Sequence, residues 1–220
     1  MTQRLNHHDD GEVDEENSFV FLGGDVSLDF VNTLMFDRGG LVDAVPAPEE
    51  LAAWVAASSL GPEFGAPTEI DSNSYAQVID LRRALKASFD AIVTDAPVPD
   101  DSIATINDVL RAGPGSELRR EPNSGALHLR LRIDLALDSR PLPWLLADAG
   151  AALIVGGKAS LLRRCANHDT CVLMFLDTSR SKTRRWCSME LCGNRSKVAA
   201  HAARSRDQQP VKAASGQRAS

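Results

Sequence analysis

Residues 165–206 read CANHDTCVLMFLDTSRSKTRRWCSMELCGNRSKVAAHAARSR, and all four cysteines of the chain lie in this stretch. The order is Cys165, five residues, Cys171, fifteen residues, Cys187, four residues, Cys192. Two short-spaced pairs separated by a hairpin-sized gap have the form of a four-thiolate zinc site. A tetrahedral ion about 2.3 Å from each sulfur takes two ligands from one tight turn and two from another. A segment this small cannot bury enough apolar surface to fold alone, so metal binding supplies the missing free energy. The expectation is one structural Zn2+ held by Cys165, Cys171, Cys187 and Cys192.

Other uses of the cysteines fit less well. Disulfides need an oxidising compartment, and the N-terminus MTQRLNHHDDGEVDEEN is acidic and lacks the apolar core of a secretory signal. Dithiol redox motifs use a two-residue spacer, which neither pair has. His168 lies between Cys165 and Cys171 and could in principle replace a thiolate. With four thiolates available, a solvated turn is its expected place.

Around the ligands, 160–164 and 172–177 read as strands, 179–183 as a polar turn, and Arg184-Arg185-Trp186 as the return to Cys187. A zinc-stapled hairpin is expected, followed by a helix from near Cys192 toward Arg206. At about 100° per residue, Lys197, His201 and Arg204 share one stripe of that helix. Val198, Ala199 and Ala202 lie on the other side, and Arg195 falls with them. The expected phosphate contacts are therefore Arg184, Arg185, Lys197, His201 and Arg204. Trp186, Asn194 and Arg195 are read as support for the zinc site, with Arg195 folding back onto carbonyls of its loops.

The net charge of −6 conceals an asymmetry. Residues 158–220 hold 13 Lys and Arg against 4 Asp and Glu, a net of +9; residues 1–157 hold the other 11 and 26, a net of −15. A basic metal-stapled end on an acidic body suits a polyanionic partner, or docking of the two parts on each other. The zinc motif tips the balance toward nucleic acid. The apolar stretch Trp144–Val155 is interrupted by Asp148 and is too short to span a bilayer. A cytoplasmic protein with reduced cysteines is expected.

Upstream of the cysteines the pattern is mixed. Residues 1–17 and 207–220 are polar and read as disordered tails. Phe19–Leu22 reads as a buried strand, and Ser27–Met35 as a helix capped by Ser27. Helices are expected over 48–58, opened by Pro48, and over about 74–94, where Arg82, Arg83 and Lys86 read as a solvated face. Another follows, capped by Asp100 or Asp101. Residues 61–67 read as linker. Strands 118–121 and 126–133 alternate apolar and polar, with His128, Arg130 and Arg132 on a face read as solvated or anion-binding. Pro141–Gly156 is the most apolar helix, and Gly156-Gly157 marks the domain boundary. No glycine-rich phosphate loop, nucleophile elbow or paired-histidine motif occurs in 18–157, so an enzyme is not expected.

The run Arg185-Trp186-Cys187-Ser188-Met189-Glu190-Leu191-Cys192-Gly193-Asn194-Arg195 resembles the signature of the CGNR zinc finger. The upstream cysteine pair and Phe175-Leu176-Asp177-Thr178-Ser179 match it too. Leu28-Asp29-Phe30-Val31-Asn32-Thr33 resembles the start of the ABATE domain, which accompanies this finger in bacterial proteins described as stress-induced transcription regulators. The resemblance implies a mixed α/β domain over 18–157 and a finger over 158–206 that holds metal through its four cysteines and binds DNA.

The expected fold class is α+β, a mixed helical domain with a small β-hairpin followed by the β-hairpin-plus-helix finger. The expected partners are DNA, a small-molecule effector at the N-terminal domain and a second copy in a homodimer, with no membrane. The alternative is a finger that serves as a protein-interaction or structural module. Replacing Cys187 or Cys192 with serine is expected to unfold 160–206 and leave 18–155 largely intact.

Overall fold

The computed structural model describes residues 19–37 and 39–207, without the side chains of 37 and 203–207. The tails expected at 1–17 and 207–220 lie outside the described residues, except for Asp207, which ends the last helix.

Residues 19–22 form no ladder; they run along the body, with Phe21 6.2 Å from the Trp54 ring. Gly23-Gly24-Asp25 turns the chain into α1 (Val26–Val31). Asp25, not Ser27, caps it, accepting from the Ser27 N–H at 3.0 Å and the Ser27 hydroxyl at 2.6 Å. A carboxylate there also answers the positive end of the helix. The helix stops earlier than its apolar spacing suggests. Thr33 donates its hydroxyl to the Phe30 carbonyl at 2.7 Å, a local bond that competes with helix continuation. Leu34 and Met35 therefore enter β1 (Leu34–Asp37), which pairs antiparallel with β2 (Gly40–Asp43).

Next come α2 (Pro48–Ala57) and α3 (Leu60–Phe64), a short helix where linker was expected. The central element is α4 (Ser72–Val93), capped by Asp71 through the Asn73 and Ser74 amides, both at 3.0 Å. Then follow α5 (Asp100–Leu110), capped at Pro99 with both aspartates in its first turn, and α6 (Leu142–Val155). Helices α1, α2, α5 and α6 pack around α4 over Phe30, Trp54, Leu81, Leu85, Phe89 and Leu146. Gly150 lies against α4: a Cβ there would stand 2.3 Å from Leu85 Cδ2, so a side chain at this position would force Leu85 to repack.

Arg82 is not on a solvated face. It is buried, donates to Thr33 Oγ1 at 2.8 Å, and grips Asp43 with two bonds of 2.7 and 2.5 Å. The pair ties the β1–β2 hairpin to α4. Burial works to raise the Asp43 pKa, but the guanidinium and the Val45 N–H outweigh it and hold the carboxyl below its ordinary value.

Between α5 and α6, β3 (Ser116–Arg120) pairs antiparallel with β4 (Leu127–Leu131), Leu118 opposite Leu129. The apolar face of this hairpin is largely uncovered: Leu118, Leu127 and Leu129 are 66%, 57% and 71% exposed. Only Leu131 reaches the core.

The core does not stop at Gly157. A 3-10 turn leads into β5 (Leu162–Arg164), which pairs antiparallel with β6 (Met174–Leu176). Leu162, Met174 and Leu176 lie in the same apolar cluster as α1, α4 and α6. Phe175, on the opposite face of β6, joins a second cluster formed around the four cysteines. The period of two along a strand thus gives one residue to each core. The last helix, α7 (Asn194–Asp207), follows one π-helical turn over Met189–Gly193.

Candidate metal centre

The hairpin β5–β6 carries the first cysteine pair at its tip. The Cys165 amide donates to the Leu173 carbonyl at 3.0 Å, extending the ladder to the first ligand. Residues 166–171 then form the loop that returns Cys171. The apolar run 172–177 therefore pairs backward with 162–164 and not forward with 184–187. The returning chain is held to the first pair's loop by a backbone bond from the Ala166 amide to the Arg185 carbonyl at 2.8 Å. The second pair sits on the π-helical turn. Ser188 accepts from the Glu190 and Leu191 amides at 3.1 and 3.3 Å, and its carbonyl accepts from Cys192 and Gly193. That five-residue turn brings Cys192 back beside Cys187.

All four sulfurs lie within 4.8 Å of one another, and all four residues are buried. Cys171 and Cys187 are 3.7 Å apart, and Cys187 and Cys192 are 3.6 Å apart. Four sulfurs around one tetrahedral ion at about 2.3 Å stand about 3.8 Å from each other. A disulfide would need about 2.05 Å. The spacing fits zinc and no cross-link. His168 is exposed and is not among the grouped ligands.

Hydrogen bonds from the Cys171 and Cys187 thiols, with the Cys187 and Asn167 amides, push Cys165 far down. The same contact with Cys165 pushes Cys171 up to about 12 and Cys187 higher still. Without a cation one thiolate is tolerated at the expense of its neighbours, because like charges in a buried cluster repel. A divalent ion removes that conflict, and its binding releases the thiol protons.

Asp177 organises the loop behind the site. It is fully buried, accepts from the Ser179 amide at 3.0 Å and hydroxyl at 2.5 Å, and accepts from the Arg184 amide at 3.0 Å. The hydrogen bond from Ser179 foremost, against the pull of burial, holds its carboxyl below the ordinary range. It closes residues 177–184 into a loop that aims Trp186 and Cys187 at the metal. Arg184 does the work expected of Arg195. Its Nε donates to the Trp186 carbonyl at 2.9 Å, its Nη2 to the Cys187 carbonyl, and its guanidinium lies 4.3 Å from the Phe175 ring centre. Two of its donors thus serve the zinc loop, a structural use beside the phosphate contact expected of it.

The remaining basic residues are placed differently. Arg185 is exposed, with its guanidinium 5.1 Å from the half-buried Trp186 ring. Asn194 and Arg195 are exposed at the start of α7, and Arg195 reaches Thr170 Oγ1 only at 3.5 Å. Lys197 and His201 are exposed along α7, while the Arg204 side chain lies outside the described residues. Val198, expected on an inward side, is 69% exposed. Helix α7 packs chiefly on the π-helical turn.

Three contacts join the hairpin to the helical body, and sequence reasoning foresaw none of them. Asn32 donates to the Met174 carbonyl at 2.8 Å and accepts from the Met174 amide at 2.9 Å, so its side-chain amide acts as one more rung on β6. The Leu176 amide donates to the Gly23 carbonyl at 2.8 Å. Arg164, on β5, pairs with Asp90 of α4.

The family described as "Putative stress-induced transcription regulator", ABATE, matches residues 24–157. The chain belongs to the ABATE family. The CGNR zinc finger follows, matching residues 162–205. No curated protein matches the sequence. In this ABATE protein the opening motif has a physical reading. Leu28 and Phe30 fill the core, Asn32 clamps the finger's strand, and Thr33 holds Arg82. The ABATE segment thus contains the socket for the CGNR hairpin, and the finger holds one structural zinc ion through Cys165, Cys171, Cys187 and Cys192.

Proposed function

We propose that the protein is a cytoplasmic transcription regulator, without catalytic activity, that binds duplex DNA through the zinc-stapled end of the chain. The observation that carries this reading is the set of exposed cations on the zinc-stapled end of the chain. Among the described residues, Arg180, Arg185, Arg195 and Lys197 are exposed and none forms an ion pair. The acidic body does not neutralise them: its ion pair with the finger goes from Asp90 to Arg164, and the rest of the docking runs through Asn32, the Gly23 carbonyl and apolar contacts. Exposed cations without an acid partner suit phosphates. One finger reads few bases, so useful affinity calls for a homodimer or a second contact.

Affinity for random duplex DNA, titrated against salt, tests the reading. The expected slope of log affinity on log salt is negative and becomes shallower by about 0.9 for each phosphate contact removed. The variant Arg185→Glu with Lys197→Glu should show that change, while Glu190→Gln should not. Absence of binding at low salt, or an unchanged slope in the double variant, sinks it.

A second reading has its own observation. Met189, Leu191 and Val198 are 47%, 49% and 69% exposed beside the same cations. A mixed apolar and basic surface suits a protein partner such as RNA polymerase. Val198→Asp would then abolish partner capture and leave DNA affinity intact.

A further inference from the structure

A cleft of about 590 Å³ opens between the β1–β2 hairpin and the zinc site. Its volume falls within the roughly 300–1,000 Å³ of ligand pockets. Val20, Met35, Phe36 and Val42 wall it on the amino-terminal side, and Leu173 and Leu191 on the finger side. Cys171, Cys187 and Cys192 form part of its floor, and Thr170 and Arg195 supply its polar groups. No carboxylate among the described residues lines it. Arg195 has the Thr170 hydroxyl at 3.5 Å as its nearest hydrogen-bond partner and no acid partner among the described residues.

We propose that this cleft binds a small carboxylic acid with an apolar body, its carboxylate paired to Arg195 and Thr170 and its body laid against the hairpin. An apolar wall with one unpaired guanidinium at its edge is complementary to an apolar anion, and arginine takes a carboxylate with two parallel bonds. A zinc–tetrathiolate group is formally dianionic, so an anion in this cleft needs a cation of its own. Arg195, three residues after Cys192, supplies it. A ligand here touches the ABATE hairpin on one side and the root of α7 on the other. Occupancy therefore biases the setting of α7 against the body, a consequence that rests on the DNA-binding reading, whereas the binding itself does not.

The test uses the zinc-loaded full chain and the fluorescent aromatic sulfonate 1-anilinonaphthalene-8-sulfonate, displaced by decanoate and by 1-naphthoate. One probe should bind per chain and be displaced by at least one of the two acids. Arg195→Met should weaken binding about tenfold or more, the loss expected for a hydrogen-bonded charge pair. Val42→Trp, which fills the cleft from a half-exposed position, should abolish it. Zinc content and circular dichroism should match the parent in both. Leu129→Ser, on the uncovered β3–β4 hairpin, should leave binding unchanged.

Equal binding by all variants, loss in Leu129→Ser alone, or displacement by neither acid overturns the proposal. So does binding that appears only when residues 1–18 are deleted, because the cleft then belongs to the chain's own amino-terminal segment. DNA affinity, measured on the same proteins, is a separate reading. A chain that binds probe but no DNA keeps the cleft and loses the regulator; a chain that binds DNA but no probe does the reverse.

Discussion

Burial pushes the Asp29 carboxyl up from 3.8 to about 6, even though the Gly23 amide donates to it at 2.7 Å and favours its charged form. Nearby Asp25 adds to the rise. Below about pH 3.8 the group is protonated in both folded and unfolded chains and costs nothing. Between that value and about 6 the folded chain keeps a proton that the unfolded chain has released, so stability falls as pH rises. Above about 6 the penalty is constant, roughly 3 kcal/mol at 1.36 kcal/mol per unit. Asn keeps the acceptor and removes the charge. The stability gained by Asp29→Asn should be near zero at pH 4 and reach roughly 2–3 kcal/mol above pH 7, measured by urea unfolding across pH. A gain independent of pH would contradict this origin. Asp177 is the second residue to probe. Asp177→Ala frees the Ser179 and Arg184 amides and loosens the loop that aims Cys187. Zinc loss to a chelator should accelerate about 10–100-fold, the usual effect of removing a partner that orients a metal ligand. Its sequence signal was legible in retrospect: an acid at the end of an apolar strand, two residues before a serine, is an Asx-turn pattern.

At the scale of elements, the joint between α1 and β6 matters most. Asn32→Ala would leave the Met174 N–H and C=O buried without partners. Each unpaired group costs about 1–3 kcal/mol, so the variant should lose roughly 2–5 kcal/mol in denaturant titration. Asn32→Gln, which keeps the amide on a longer arm, should recover little, because the rung depends on length as well as on chemistry. Arg82 joins α4 to the β1–β2 hairpin in the same way. Arg82→Met should cost about 2 kcal/mol, less than for a fully buried pair because Asp43 keeps partial solvent contact. Both joints escaped sequence reasoning for one cause. Helical spacing puts Arg82 beside the polar stripe, and nothing local says that a carboxylate from 39 residues upstream will cover it.

At the scale of the whole molecule, the two matched segments share one core. Leu162, Met174 and Leu176 are buried with Phe30, Leu81 and Leu146. Cutting the chain at Gly157 would remove three core side chains and the partner of Asn32, so point variants are the sound way to separate finger from body. The same packing changes what metal loss should do. Zinc removal, or Cys187→Ser, releases the tip of a hairpin whose arms lie in the main core. Thermal unfolding should therefore remain one transition at a lowered midpoint, followed together by tryptophan fluorescence and helix content. Two well-separated transitions, with 18–155 unaffected, would restore the picture of an independent finger. Sequence alone determined the four ligands, the long helices and the order of the two segments. Those features rest on local spacing: tetrahedral thiolates need paired turns, and an amphipathic helix needs its 3.6-residue period. Tertiary structure alone decided where the hairpin docks, which arginine serves the zinc loop, and that a cleft opens beside the metal. Those outcomes depend on groups brought together across 142 residues, as Asn32 and Met174 are, and no local period encodes them.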